Sequence, residues 1–180
     1  EAAERIAVLP NGFDPWEFRA GAEPPPEGPF TMAYLGSFYL FQSADPFLEG
    51  LRLWMGRRGG AAADGVRVLF AGKGVTDLAP RVAAMGLSGQ IELRGMMPHG
   101  DAIKQMLRAQ ALLLIVGFAP GSEGILTGKL FEYLASRRPI LAIAPEGKAT
   151  ALIREARAGC VVTEPAPEAI RLPAISAECW

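Results

Sequence analysis

The stretch EGILTGKLFEYLASRRPILAIAP, residues 123–145, runs through a loop, a helix and a strand in immediate succession. Gly124 and Gly128 break its first part into a loop. GKLFEYLAS (128–136) then brings Leu130, Phe131, Leu134 and Ala135 around to pin a helix on a sheet, by their spacing. PILAIAP (139–145) is apolar at nearly every position, as expected of a strand covered on both faces, and such strands belong to parallel sheets flanked by helices. Within the helix, Lys129 and Glu132 are three residues apart and share a face. They are either a surface ion pair or the means of holding a ligand.

The same alternation extends outward from this unit. Ahead of it lie FTMAYLG (30–36) as a strand, DPFLEGLRLWMGRR (45–58) as a helix, VRVLFAGKG (66–74) as a strand and DLAPRVAAMG (77–86) as a helix. IELRG (91–95) follows as a strand, DAIKQMLRAQ (101–110) as a helix with Asp101 near its start, and ALLLIVGF (111–118) as a strand apolar on both faces. Behind it come the helix KATALIREARAG (148–159) and the strand CVVTEP (160–165). Six strand-like runs alternating with five helices predict an α/β fold, a doubly wound parallel sheet of Rossmann-like type with helices on both faces. Residues 30–180 are assigned to this domain. Residues 1–29 read differently: RIAVLPNGFD (5–14) suggests a strand running into a turn, and PWEFRAGAEPPPEGP (15–29) is a proline-rich connector without periodicity. The chain does not open on Met, and a fragment of a longer protein is the expectation. No internal repeat is evident.

Bulk composition narrows the function classes. Half of the 180 residues are apolar, and 18 basic side chains face 19 acidic ones, a balance that argues against a nucleic-acid partner bound through a basic face. Cys160 and Cys179 have no metal-ligand spacing and make no disulfide framework, so a reduced, cytoplasmic setting with an inert Cys160 is expected. No run approaches the roughly 20 apolar residues of a membrane span.

In a doubly wound sheet, ligands sit beyond the carboxyl ends of the strands. Gly36, Gly72, Gly74, Gly95, Gly124 and Gly128 all fall on that rim. Each alone could serve a tight turn; together they favour a phosphate-bearing ligand approached by backbone amides at a helix start. Lys129 is misplaced electrostatically in the first turn of a helix, whose dipole favours anions, and an exposed pair with Glu132 would recover only a few tenths of a kcal/mol. A bound anion accounts for the lysine better. The Glu132 carboxylate can accept two hydrogen bonds from vicinal hydroxyls such as those of a ribose, each worth about 1.5–3 kcal/mol. Phosphate plus ribose reads as a nucleotide.

Over nearly all of its length the chain resembles the C-terminal, donor-binding half of retaining GT-B glycosyltransferases that use nucleotide-sugars (the group 1, or family 4-like, enzymes). The resemblance is carried by VLPNGFD (8–14), AYLGSFY (33–39), VLFAGKG (68–74), IELRGMMPHGD (91–101), RAQALLLIV (108–116) and, most specifically, EGILTGKLFEYLASRRPILA (123–142). It implies that Glu132 binds the ribose hydroxyls, that Gly124, Thr127 and Gly128 offer groups to the diphosphate, and that Gly36 and Ser37 form the first glycine loop of the donor site. The backbone at Met97 would edge the base. Lys129 and Lys73 would balance phosphate charge, and Glu123 and Lys129 take the catalytic positions. It further implies a nucleoside-diphosphate sugar as donor, no metal or other cofactor, an acceptor held by an absent N-terminal domain, and possible peripheral membrane association where the acceptor is lipid-linked. Two features depart from the family pattern. Many members have two glutamates separated by seven residues, whereas Glu123 and Glu132 have eight between them, and GSFYLFQSAD (36–45) lacks the usual basic residue and lysine-glycine pair.

Two other readings stay open on the residues alone: a sugar-nucleotide epimerase on the same scaffold, and a non-catalytic nucleotide-binding or assembly domain. His99, the one histidine, is expected to cap or abut the turn before the Asp101 helix, with a catalytic base as the lesser alternative. Arg94 either stacks near the base or merely flanks its strand end.

Overall fold

The computed structural model describes residues 9–18, 27–39, 42–58 and 65–170. Its elements alternate throughout: β1 (Phe30–Leu35), α1 (Asp45–Arg58), β2 (Val66–Ala71), α2 (Ala79–Ala84), β3 (Ile91–Arg94), α3 (His99–Arg108), β4 (Ala111–Ile115), α4 (Gly128–Ser136), β5 (Ile140–Ile143), α5 (Lys148–Glu155) and β6 (Gly159–Val162). All six strands are parallel and lie in the order β3-β2-β1-β4-β5-β6. The sequence therefore winds outward in both directions from a central β1–β4 pair.

Strand residues alternate between two apolar layers, as a pleated strand covered on both faces requires. Met32, Tyr34, Phe70, Leu113 and Ile115 pack with Phe47, Leu48 and Leu51 of α1 and Val82 of α2. Ala33, Leu35, Leu112, Leu114 and Ile140 pack on the other face with Ile103 and Met106 of α3, Leu130 and Tyr133 of α4, and Ile153 of α5. Each fully buried Leu, Ile or Phe contributes about 1.5–3 kcal/mol. The fold expected from the alternation is the fold observed.

Several boundaries differ from expectation for local reasons. The helix expected over 77–86 is a 3-10 turn, Val75–Leu78, followed by the short α2, because Pro80 starts a helix more readily than it continues one. The helix expected from Asp101 begins at His99, with Pro98 in the extended conformation ahead of it. In the run 5–14, residues 9–14 carry no strand, and residues 1–8 lie outside the described residues. Cys160, expected to be a free and inert thiol, is disulfide-bonded. It is the second residue of β6, the edge strand among the described residues, and cysteine usage consequently carries no argument for a reduced compartment.

The site is positioned by where β1 and β4 part. They pair only at Met32–Ala111 and Ala33–Leu112. Beyond that register Tyr133 of α4 fills the gap: its hydroxyl accepts the Leu35 N–H at 2.9 Å and lies 3.4 Å from the Leu35 and Leu113 carbonyls. Burial pushes this phenol far up in pKa, so it remains a neutral hydrogen-bonding group. Tyr133→Phe leaves the Leu35 amide without its partner and is expected to lower stability by about 1–3 kcal/mol in chemical denaturation.

The loops after β1 and β2 touch through glycine. Gly72 has φ 142°, and a Cβ there would overlap the Gly36 carbonyl, so backbone would have to move. Gly72→Ala is expected to cost roughly 1–3 kcal/mol, read as a lower unfolding midpoint.

Candidate functional site

A cavity of about 420 Å³ opens at the carboxyl ends of β1, β2 and β3 and is closed on one side by the start of α4. Of the residues proposed from sequence, Gly36, Ser37, Lys73, Met97, Thr127, Gly128, Lys129 and Glu132 line it. Glu123 and Gly124 do not. They form the 3-10 turn Ser122–Gly124, exposed except for Ser122, with the Glu123 backbone packed against Gly147. Gly95 and Arg94 line a neighbouring depression with Met97, Asp101 and Lys104, and Arg94 is paired with Glu92 at 2.6 Å.

The start of α4 is built from unsatisfied groups. Thr127 stands in the N-cap position with extended backbone, yet its hydroxyl makes no capping bond. That hydroxyl is buried and has no hydrogen-bond partner among the described residues. The first-turn amides of a helix in general lack i−4 partners; here the Leu130 amide donates to the Thr127 carbonyl at 3.1 Å, which leaves those of Gly128 and Lys129 without a backbone partner among the described residues. Three kinds of donor thus converge on one corner of the cavity, since Lys129 supplies the third.

Lys129 and Glu132 form no ion pair with each other. The Lys129 side chain folds over the β1 loop: Nζ donates to the Tyr34 hydroxyl at 3.0 Å and lies 4.1 Å from the centre of that ring. Tyr34 in turn donates to the Ser37 carbonyl at 3.0 Å and stacks on Phe38. Gly36 has φ 147°, a conformation that residues with side chains rarely adopt, and its lack of a Cβ leaves the space that Nζ occupies. Burial pulls the Lys129 ammonium down to about 8, with the Glu132 charge opposing the shift. A lysine this desolvated, and with no carboxylate partner among the described residues, is a cation awaiting an anion. Burial also raises the Glu132 carboxyl. Glu17 adds to that rise, while His99 and Lys129 oppose it.

His99 departs from its expected place. It is the first residue of α3, Pro98 holds the cap position, and the imidazole reaches away from the helix. Its Nε2 lies 3.1 Å from Glu17 Oε2 and 3.8 Å from Glu132 Oε1. His99 therefore lines the cavity, as do Tyr39 and Gln42, which sequence reasoning did not single out. Gln42 is locked by a bond from its side-chain amide to the Ile115 carbonyl at 3.1 Å. Tyr34 was hidden by its position in an otherwise apolar strand, and only its hydroxyl set it apart.

No family profile matches this sequence, and no curated protein sequence does. Solved structures do match. WaaG, a glycosyltransferase involved in lipopolysaccharide biosynthesis, superposes with a TM-score of 0.74 at 17% identity, over 98% of this chain and 47% of its own. The fold is that of one half of a GT-B glycosyltransferase. HepE from Anabaena, solved in complex with UDP-glucose, matches over 92% of this chain and 46% of its own, with a TM-score of 0.66 and 14% identity. The C-terminal domain of LpcC, a group 1 glycosyl transferase from Francisella tularensis, gives 0.58 at 14% identity and covers 88% of this chain. The chain spans about half the length of WaaG and HepE but 78% of the separately solved LpcC domain, which sets it beside a single GT-B half. Among the described residues no helix is long and apolar enough to cross a membrane, and no group of three or more His, Cys, Asp or Glu could hold a metal ion.

Proposed function

We propose that this chain is the donor-binding domain of a glycosyltransferase, taking up a nucleoside-diphosphate sugar whose glycosyl group passes to an acceptor held by a second, N-terminal domain. The observation that carries this reading is the corner at α4: a buried, unpartnered Thr127 hydroxyl beside the start of the helix and a desolvated Lys129 with no carboxylate partner among the described residues, with the Glu132 carboxylate one turn further along. A diphosphate would satisfy the first two, and a pentose diol the third. Support for the class comes from the GT-B fold and from HepE having been solved with UDP-glucose.

In this mechanism the chain's own groups stabilise the departing diphosphate. Charge grows on the leaving oxygens as the glycosidic bond breaks, and prearranged donors in a sheltered pocket favour that state over the ground state. Lys129 supplies the cation, so no metal ion is required in the proposal. Glu123 and Gly124 enter only if the 3-10 turn Ser122–Gly124 shifts when donor binds. For the whole protein we propose a cytoplasmic location, at a membrane surface where the acceptor is lipid-linked.

Calorimetric titration with uridine, guanosine and adenosine diphosphates tests the reading. Saturable heat with at least one of them, and no glycosyl transfer by the 180-residue chain alone, is the expected result. No heat with any of the three would overturn it.

A further inference from the structure

We propose that His99 is a positioning residue that bridges two acids, holding the Glu132 carboxylate at the cavity rim while tying it to Glu17 of the N-terminal segment. The inference deepens the reading of the cavity as a nucleotide site and rests on it for its ligand-dependent part.

The geometry brings three elements together. Glu17 ends a turn that begins at Asp14, where the Glu17 amide meets the Asp14 carbonyl at 3.2 Å and the Trp16 amide meets the Asp14 carboxylate at 2.9 Å. Phe18, next along, packs against the apolar layer under α3 and α4. The turn is thereby fixed close to the cavity mouth, where one imidazole nitrogen, Nε2, faces both acids: Glu17 Oε2 at hydrogen-bond distance, 3.1 Å, and Glu132 Oε1 at the longer ion-pair distance of 3.8 Å. Glu132 makes no direct hydrogen bond to a described residue, and His99 is the group placed to orient it.

Electrostatics favour the same arrangement. His99 opens α3, where the helix dipole disfavours a cation. Two carboxylates facing the ring offset that penalty. The other charged groups around it are Lys129 on α4, which is engaged with Tyr34, and Asp101 on its own helix, which is paired with Lys104 at 2.9 Å. Neither competes for the imidazole. When a ligand diol occupies Glu132, the share of the imidazole left to Glu17 changes, and the pocket is thereby coupled to the segment entering the domain.

The chain contains one histidine, so proton NMR of the imidazole reports on His99 directly and without ligand. Glu17→Gln and Glu132→Gln should each move the imidazole resonances at a fixed pH, since each replaces a carboxylate that lies 3.1 Å or 3.8 Å from Nε2, respectively. A shift in only one variant, or in neither, overturns the bridge. A second measurement separates positioning from folding. His99→Gln should weaken uridine diphosphate binding about fivefold and leave inorganic pyrophosphate binding unchanged, because pyrophosphate has no hydroxyls for Glu132 to grip. Equal loss with both ligands would contradict the positioning role. If the unmodified chain binds neither, the nucleotide reading falls, while the NMR result still decides whether His99 bridges the two acids.

Discussion

Lys129→Met is expected to reduce affinity for a nucleoside diphosphate by about 1.5–3 kcal/mol, the worth of a charge-assisted hydrogen bond in a sheltered site, without lowering stability. The two effects have one cause. The ammonium is largely removed from water and its nearest partner is the neutral Tyr34 hydroxyl, so burial outweighs the opposing Glu132 charge and its pKa falls to about 8. Methionine has similar reach and no charge to desolvate, and replacing a poorly compensated buried charge with an apolar side chain is commonly neutral or stabilising. Linkage gives an independent sign. Below about pH 8 the lysine is protonated in both folded and unfolded states and the desolvation penalty is fully present. Between there and its ordinary value near 10.4, the unfolded chain binds more protons than the folded one, and stability rises with pH. Denaturation profiles should show that rise in the unmodified protein and lose it in Lys129→Met. Nucleotide affinity should run the opposite way, falling as pH climbs through about 8 in the unmodified protein and staying flat in the variant. A variant that loses stability and keeps its affinity would return Lys129 to a purely structural role.

Glu132→Ala is expected to weaken nucleotide binding by roughly 1.5–3 kcal/mol with little change in melting temperature. The carboxylate lies on the cavity wall, its side chain 28% exposed, with the His99 imidazole 3.8 Å away. Burial and the Glu17 charge already raise its pKa, which marks a charge that the unliganded fold accommodates poorly. Its removal therefore costs the empty protein little. Calorimetry with inorganic pyrophosphate sharpens the comparison, since Glu132→Ala should spare that ligand and Lys129→Met should not. A large drop in melting temperature with unchanged affinity would instead assign Glu132 to the framework.

The fold was legible because both of its determinants are local. Short, continuous apolar runs such as ALLLI and ILAI, recurring between helical patterns, fit strands covered on both faces, and the helices between them show their apolar stripes in the spacing of Phe47, Leu48 and Leu51 or of Leu130 and Tyr133. Lys129 stood out because it is an ill-placed charge in the first turn of a helix, and Glu132 because it shares that face. The rest of the site comes from contacts across long stretches of sequence. Tyr34 and Lys129 are 95 residues apart, and Glu17 and His99 are 82 apart, so nothing in either neighbourhood announces the other. The ion pair between Lys129 and Glu132, the alternative the sequence left open beside ligand binding, does not form, for a related reason. Gly36 leaves room for the lysine to fold over β1, and that space is made by a residue with no side chain at all.

The most direct measurement is a crystal structure of the chain with a nucleoside diphosphate bound. The expected result has diphosphate oxygens within hydrogen-bond reach of Lys129 Nζ, the Thr127 hydroxyl and the first amides of α4, with both pentose hydroxyls on Glu132. Nucleotide bound elsewhere, or a vacant corner with Glu132 turned inward against its neighbours, would contradict the account.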